Sequence, residues 1–442
     1  MTKTLLIRGG AIATLGDESH LLDGHGILIR DGLITDVAPL AELPSHADKV
    51  IDATGKLVLP GFINAHMHFY STLVRGLGKA KPSTSFVQIL EHLWWRLDKQ
   101  LTLEDTYVSA MVPLIEAVRH GTTTLIDHHA SPMAVRGSLG VIADAVTRVG
   151  LRASLCYEVS DRDGEEIAQE GIDENVAFIK HAQTDKSGKL AALFGLHAAF
   201  TLSDKTLEQA VAAAQGLDVG CHIHVAEAQV DQEHSLETYG KRVVERLHAL
   251  GVLGEKTIAA HCVHIDANEI RLLAESGTAV VHNPQSNMNN AVGIADITAM
   301  MKAGVLVGLG TDAMTVNMRE EMRVAVWAQH LQHGPDVGFV EALTTLLVNN
   351  ATIANRSFRT PVGVLAAGHA GDVILVDYAP PTPLDESTFL GHMAFGVPHA
   401  SVDTTICGGR VLMENKTLTL DVDEQEVAAK GRELAVKLWE RF

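Results

Sequence analysis

The chain has 442 residues, 46% hydrophobic and 20% charged, the balance of an ordinary globular protein and not of a disordered one. Its net charge of −19 repels phosphate backbones, so nucleic acid is excluded as an expected partner and the acidic surface reads as a solubility feature. The four cysteines (Cys156, Cys221, Cys262, Cys407) form no CxxC pair and suggest no disulfide framework, whereas 23 histidines make imidazole and carboxylate the expected ligands of any bound metal.

The N-terminal stretch MTKTLLIRGGAIATLGDE has no long apolar segment and no small-residue cleavage site, so it reads as a strand and turn. No apolar run reaches membrane-spanning length, and a cytoplasmic, reducing compartment is expected. Residues 1–57 break into short strands (TLLIRGG, GILIRDG, LITDVAP), and a similar pattern returns late in GDVILVDY and TTICGGRVLMEN. Each β segment is too small to bury a core alone. The expected organisation is therefore one small β-sandwich domain built from 1–57 and 361–442, the latter with a terminal helix, around a central domain over 58–360.

From residue 58 the period changes. Eight apolar runs follow in order: KLVLPGFINAH, TTTLIDHH, RASLCYEV, ALFGLHA, GCHIHVAE, TIAAHCVH, TAVVHNP and LVGLGTD. Most are separated by amphipathic helical stretches such as EDTYVSAMVPLIEAVRHG and DANEIRLLAESG, several ending in Gly as a helix C-cap does. Strand–helix alternation predicts an α/β protein with a parallel sheet, and eight such units predict a TIM-like (β/α)₈ barrel.

Most runs end in polar, metal-competent residues: His66 and His68, Asp127-His128-His129, His197, His224 with Glu227, His261, His282-Asn283 and Asp312. In such a barrel the C-terminal strand ends converge on one mouth, so residues distant in sequence meet there. A lone histidine at a strand end is usually a solvated or satisfied side chain. An HxH pair carries more, because alternate strand residues share a face and both imidazoles can reach one ion. Of His222 and His224, the second is taken as the ligand because Glu227 follows it at the strand end. His222 is left as structural or supporting. The ordinary reading of Asp312 is a turn or N-cap aspartate for the next helix. What the ordinary readings explain poorly is the joint occurrence of all these residues in register with eight strands.

PGFINAHMH, HIHVAE, AHCVHID, HNPQSNMNN and GLGTD together resemble the motifs of the amidohydrolase superfamily, in its chlorohydrolase and aminohydrolase branch. HFYSTLVRG, LWWRLD, DHHASP and SNMNN give a closer likeness to its SsnA subgroup. The resemblance implies His66, His68, His224 and Asp312 as metal ligands, Glu227 as proton shuttle and His261 as the group that hydrogen-bonds the bound water and polarises substrate. It also implies His197 as a substrate contact. Members with two metals carry a bridging lysine at the fourth strand; here that run reads GLHAAFT, so one divalent ion is expected, zinc or iron(II).

Such a set suits attack of activated water on an amidine-type carbon, with Asp312 taking the water proton, Glu227 protonating the ring nitrogen and His261 stabilising developing charge. The expected activity is deamination of an aminated purine, pterin, pyrimidine or triazine-like ring. The alternative is opening of a cyclic amide, or loss of halide, at the same site. A catalytically dead barrel is disfavoured because every expected ligand is present.

Substrate contacts are sought in the loops. Arg75 could bind a carbonyl or carboxylate, or equally be an ion-paired surface residue. Trp94 or Trp95 could stack on a flat ring; adjacent helical positions face different ways, so at most one is expected there, and Trp94 is named. One of His128 and His129 is expected at the mouth, with His128 preferred. His282, Asn283, Ser286 and Asn287 are expected to shape the rim. The partner is a small-molecule substrate; homo-oligomerisation is common on this type of barrel, and no residue in the sequence marks an interface.

Overall fold

The computed structural model describes residues 4–16 and 18–442. The two chain ends meet in a seven-stranded sheet. Its order is Thr417–Leu418, Arg410–Glu414, Ser401–Cys407, Val373–Asp377, Leu57–Pro60, Ala11–Ala13 and Leu21–Leu22. The antiparallel pairing of Val373 with Pro60 through Val376 with Leu57 is the join. A second sheet, ordered Leu33–Pro39, His25–Arg30, Thr4–Arg8, Lys49–Asp52, packs against it.

The period-2 alternation of a strand decides what each face covers. Val373 and Leu375 enter a small core with Ile7, Ile29, Val58 and Ile406, whereas Ile374 and Val376 enter the main core. The central strands of the seven-stranded sheet are therefore buried on both faces, which is why Leu57–Pro60 and residues 373–376 read as apolar runs.

Each of the eight predicted runs carries a parallel strand. We label them β1 (Phe62–Met67), β2 (Thr122–Asp127), β3 (Arg152–Leu155), β4 (Leu190–Ala192), β5 (Phe194–Ala198), β6 (Cys221–Val225), β7 (Ile258–His261), β8 (Ala279–His282) and β9 (Val307–Leu309). The fourth run, ALFGLHA, holds β5; β4 precedes it, ends on the run's first residue, Ala192, and is separated from β5 by Leu193. The strands form two sheets, ordered β4-β3-β2-β1 and β5-β6-β7-β8-β9. Isolated parallel bridges, Met67 to Asp312 and Val159 to Leu196, connect them. Side chains of both sheets share one interior cluster that includes Ala65, Ile126, Cys156, Ile258 and Val281.

The helices follow their local signals. Leu103–His120 starts at a Thr102–Asp105 capping box and stops at Gly121, whose φ of 75° suits a residue without a Cβ. The helix Ala267–Ser276 repeats the scheme with Asp266, Glu269 and Gly277. The terminal helix, Glu424–Arg441, does not lie on the β sheets. It buries Leu434 and Leu438 among Tyr70, Leu73, Leu97 and Leu101, and Trp439 Nε1 donates to the Leu73 carbonyl at 2.8 Å. It thereby braces the segment that follows His68.

Candidate metal centre and active site

The ends of β1, β6, β7 and β9 converge. Thr311 N and Asp312 N both donate to the His66 carbonyl, at 2.9 and 3.0 Å, and Asn64 Nδ2 donates to Thr311 Oγ1 at 2.7 Å. Ala226, His261, Cys262 and Asp312 all adopt positive φ, between 46° and 73°. Left-handed backbone at non-glycine residues costs free energy and gathers at functional sites. Two of the four, His261 and Asp312, carry side chains of the site.

Hydrogen-bond polarity fixes which ring nitrogens are free. His68 Nδ1 lies 2.6 Å from the His128 carbonyl, and His224 Nδ1 lies 2.9 Å from the His197 carbonyl. A carbonyl only accepts, so both Nδ1 atoms carry hydrogen and, in the neutral rings, both Nε2 atoms hold lone pairs. His66 is set by a longer chain. The Cys156 thiol donates to the Asp127 carbonyl at 3.4 Å and leaves its sulfur to accept from His222 Nδ1 at 3.7 Å. His222 Nε2 then accepts from His66 Nδ1 at 2.8 Å. His66 Nε2 is a buried lone pair with no hydrogen-bond partner among the described residues.

These lone pairs point at one another. His68 Nε2 lies 3.2 Å from His224 Nε2 and 3.1 Å from Asp312 Oδ1. The ligand atoms of His66, His68 and His224 lie within 4.8 Å of one another, as do those of His66, His261 and Asp312. Facing acceptors repel unless a cation sits among them. A four-coordinate ion with bonds of about 2.0–2.1 Å puts its ligand atoms about 3.3 Å apart, so the donor set fits a divalent metal. Without one, a proton fills the role. Burial works against charge on His68, yet the hydrogen bond and charge of Asp312 push its imidazole up to about 9. Burial, reinforced by the surrounding imidazoles, pushes His66 and His224 well below the ordinary histidine value.

Beside this cluster stand the two expected proton-handling groups. Glu227 Oε2 is 3.5 Å from His261 Nε2, and Glu227 Oε1 accepts from Asn290 Nδ2 at 3.3 Å. Burial raises the Glu227 carboxyl above its ordinary value. His261 Nε2 is also 3.7 Å from Asp312 Oδ2, which accepts from Ser286 Oγ at 2.5 Å.

The cluster opens into a cavity at the strand ends. His68, His197, His224, Glu227 and Asp312 line it. His197 is held by Thr201 Oγ1 at 2.6 Å, and burial pushes its imidazole down to about 4. Both Trp94 and Trp95 line the cavity, against the expectation of one. The backbone over Leu90–Trp94 winds as a π turn, which alters the angle between successive side chains.

Two expected substrate contacts lie elsewhere and are corrected. Arg75 is half exposed and holds Glu116 through two hydrogen bonds, at 2.6 and 2.9 Å, outside the cavity. His128 is fully buried beneath the cavity floor between Glu158 and two backbone carbonyls, and His129 is buried against Ser131. Sequence reasoning missed Glu158, a cavity-lining carboxylate at the end of the third run. The available signal was its position, since it closes an apolar run as the other site residues do.

The profile of the Amidohydrolase family matches residues 57–412. The chain belongs to this family. A 5-methylthioadenosine/S-adenosylhomocysteine deaminase of Desulforudis audaxviator is 31% identical over 442 residues, 99% of each chain. A 5'-deoxyadenosine deaminase of Methanobrevibacter smithii is 34% identical over 445 residues, 99% of this amidohydrolase and 98% of the relative. Among solved structures, an adenosine deaminase from Xanthomonas campestris with bound zinc superposes with a TM-score of 0.87 at 23% identity, covering 98% of each chain, a likeness of fold.

Proposed function

We propose that this amidohydrolase is an aminohydrolase that uses one divalent metal ion, zinc first, to deaminate an aminated nitrogen heterocycle and release ammonia. The observation that carries the reading is the buried cluster of converging ring nitrogens beside Asp312, with Glu227 and His261 at its rim. The relatives' names, all deaminases of adenine nucleosides, support the reaction class. We further propose that the two parallel sheets form one eight-stranded barrel, with β4 and β5 acting as a single strand and the bridges at Met67 and Val159 closing the seams. On this reading 1–57 and 361–442 flank the barrel domain 58–360.

His66, His68, His224 and Asp312 would hold the ion. When bound, it supplies a water whose pKa falls from about 16 toward about 7. Asp312 Oδ2, on the side away from His68, takes a proton from the attacking water. Glu227 delivers a proton to the ring nitrogen conjugated to the attacked carbon, and burial favours its acid form. His261 faces both carboxylates and stabilises charge that develops on the substrate. Trp94 and Trp95 supply aromatic walls for a flat ring.

The test is Glu227→Gln. The variant should bind metal as the wild type does and lose about 10²- to 10⁴-fold in turnover. Unchanged turnover would remove Glu227 from the chemistry.

A further inference from the structure

The cavity carries a carboxylate that the deamination chemistry does not use. Glu158 is 5% exposed and lines the cavity, with Oε2 lying 3.1 Å from His128 Nδ1. His128 Nε2 faces only the carbonyls of Leu196 and His222, at 3.0 and 3.1 Å, so it bears a hydrogen. The Glu158–His128 contact then needs one proton between Oε2 and Nδ1, whichever atom holds it. In either case Glu158 Oε1 keeps its lone pairs and carries no hydrogen.

Oε1 makes no hydrogen bond among the described residues. Its nearest nitrogen neighbours in ion-pair range, Arg162 Nη2 and His197 Nε2, are both 3.8 Å away, beyond hydrogen-bond reach. Arg162 is committed elsewhere: Nη2 donates to Asp98 Oδ2 at 2.8 Å, and the guanidinium lies 5.0 Å over the Trp95 ring. Oε1 is thus an acceptor at the cavity wall, fixed in orientation and without a hydrogen-bond partner among the described residues. Asp312 lines the same cavity, so an anionic substrate is unwelcome there.

We propose that Glu158 is the specificity-determining acceptor of the pocket, selecting a non-anionic substrate that bears a hydrogen-bond donor on the part turned away from the hydrolysed carbon. This rests on the deaminase reading for what is hydrolysed, and not for what is recognised. The donor is an N–H or O–H group; a free base supplies it from a ring N–H and a nucleoside from its sugar hydroxyls. A buried acceptor left unpaired penalises an analogue that lacks the donor.

The experiment measures dissociation constants by calorimetry on zinc-loaded protein carrying Glu227→Gln, so that binding is read with turnover slowed. Two pairs separate the donor sources: guanine against 9-methylguanine, and adenosine against 2',3'-dideoxyadenosine. With Glu158 present, one pair should differ by at least about 100-fold in favour of the donor. Adding Glu158→Leu should collapse that ratio toward one. Adding Glu158→Gln should retain most of it, because the amide N–H can serve His128 while its oxygen stays in the cavity. Each ratio is taken within a single protein, so partial misfolding cancels, and zinc content is measured alongside. The proposal is overturned if neither pair is discriminated, if none of the four compounds binds, if Glu158→Leu keeps the ratio, or if the glutamine variant loses it as the leucine variant does. Failure of the deaminase reading would show instead as absent ammonia release by the wild type, with these binding ratios intact.

Discussion

His222 never touches the cavity, yet it decides which nitrogen of His66 is free. His222→Leu removes the acceptor 2.8 Å from His66 Nδ1 and strands a buried N–H in a fully buried site. An unpaired buried donor costs about 1–3 kcal/mol. His66 can escape that cost by shifting its proton to Nε2, which blocks the lone pair a metal needs. Either route falls on the metal-bound state, so zinc affinity should drop about 10- to 100-fold, the usual cost of losing a group that orients a ligand histidine. His222→Gln places an amide where the ring nitrogen stood, can offer its oxygen to His66, and should recover most of the affinity. The assay is competition with a chromogenic chelator at fixed pH, with thermal unfolding of the metal-free proteins as a check on folding. Wild-type zinc affinity in His222→Leu, or equal losses in both variants, would refute the chain from Cys156 through His222 to His66.

Other outcomes follow from the same geometry. Metal binding displaces the proton that His68 holds up to about 9, so apparent zinc affinity should fall about tenfold per pH unit below that value and level off above it. In the metal-free protein the same raised pKa contributes stability that is complete below pH 6.5 and lost as pH rises through about 9. Unfolding of zinc-loaded protein should not show that loss. Gly310→Ala would place a Cβ 2.8 Å from His66 Cβ and 2.6 Å from Asn283 Oδ1, so it should cost about 1–3 kcal/mol and weaken metal binding. Gly140→Ala, in a helix with nothing within 4 Å, should raise the melting temperature instead. Arg75→Ala should leave kcat/KM unchanged and cost at most about 1 kcal/mol, because its partnership with Glu116 is largely solvated. A large loss of activity would put Arg75 back in the substrate site.

The parallel strands were legible because each is buried on both faces and reads as a short apolar run closed by a polar residue. The convergence of His66, His68, His224 and Asp312 follows from strand ends sharing one side of a sheet, a regularity that needs no knowledge of loops. The pairing of the two chain ends was legible for a similar reason, since neither could bury its isoleucines and valines alone. What the sequence concealed lies in irregular backbone. The π turn at Leu90–Trp94 defeats helical spacing, so one indole was expected where two stand. His128 and His129 follow β2 by one and two residues, and both fold inward because the carbonyls of Leu196 and His222, and Ser131, receive them. Glu158 was passed over because its partner His128 is 30 residues away in sequence and becomes its neighbour only when β2 and β3 lie side by side.

The central claim is a metal-dependent deamination, and the most direct test reads ammonia and product mass together. Zinc-loaded protein and its chelated counterpart are incubated with adenine nucleosides, guanine, pterins, cytosine and aminotriazines, alongside hydantoins and imidazolones. The account predicts ammonia release with exchange of NH for O on one ring class, by the zinc-loaded protein alone. Addition of water without ammonia, or equal activity after chelation, would contradict it.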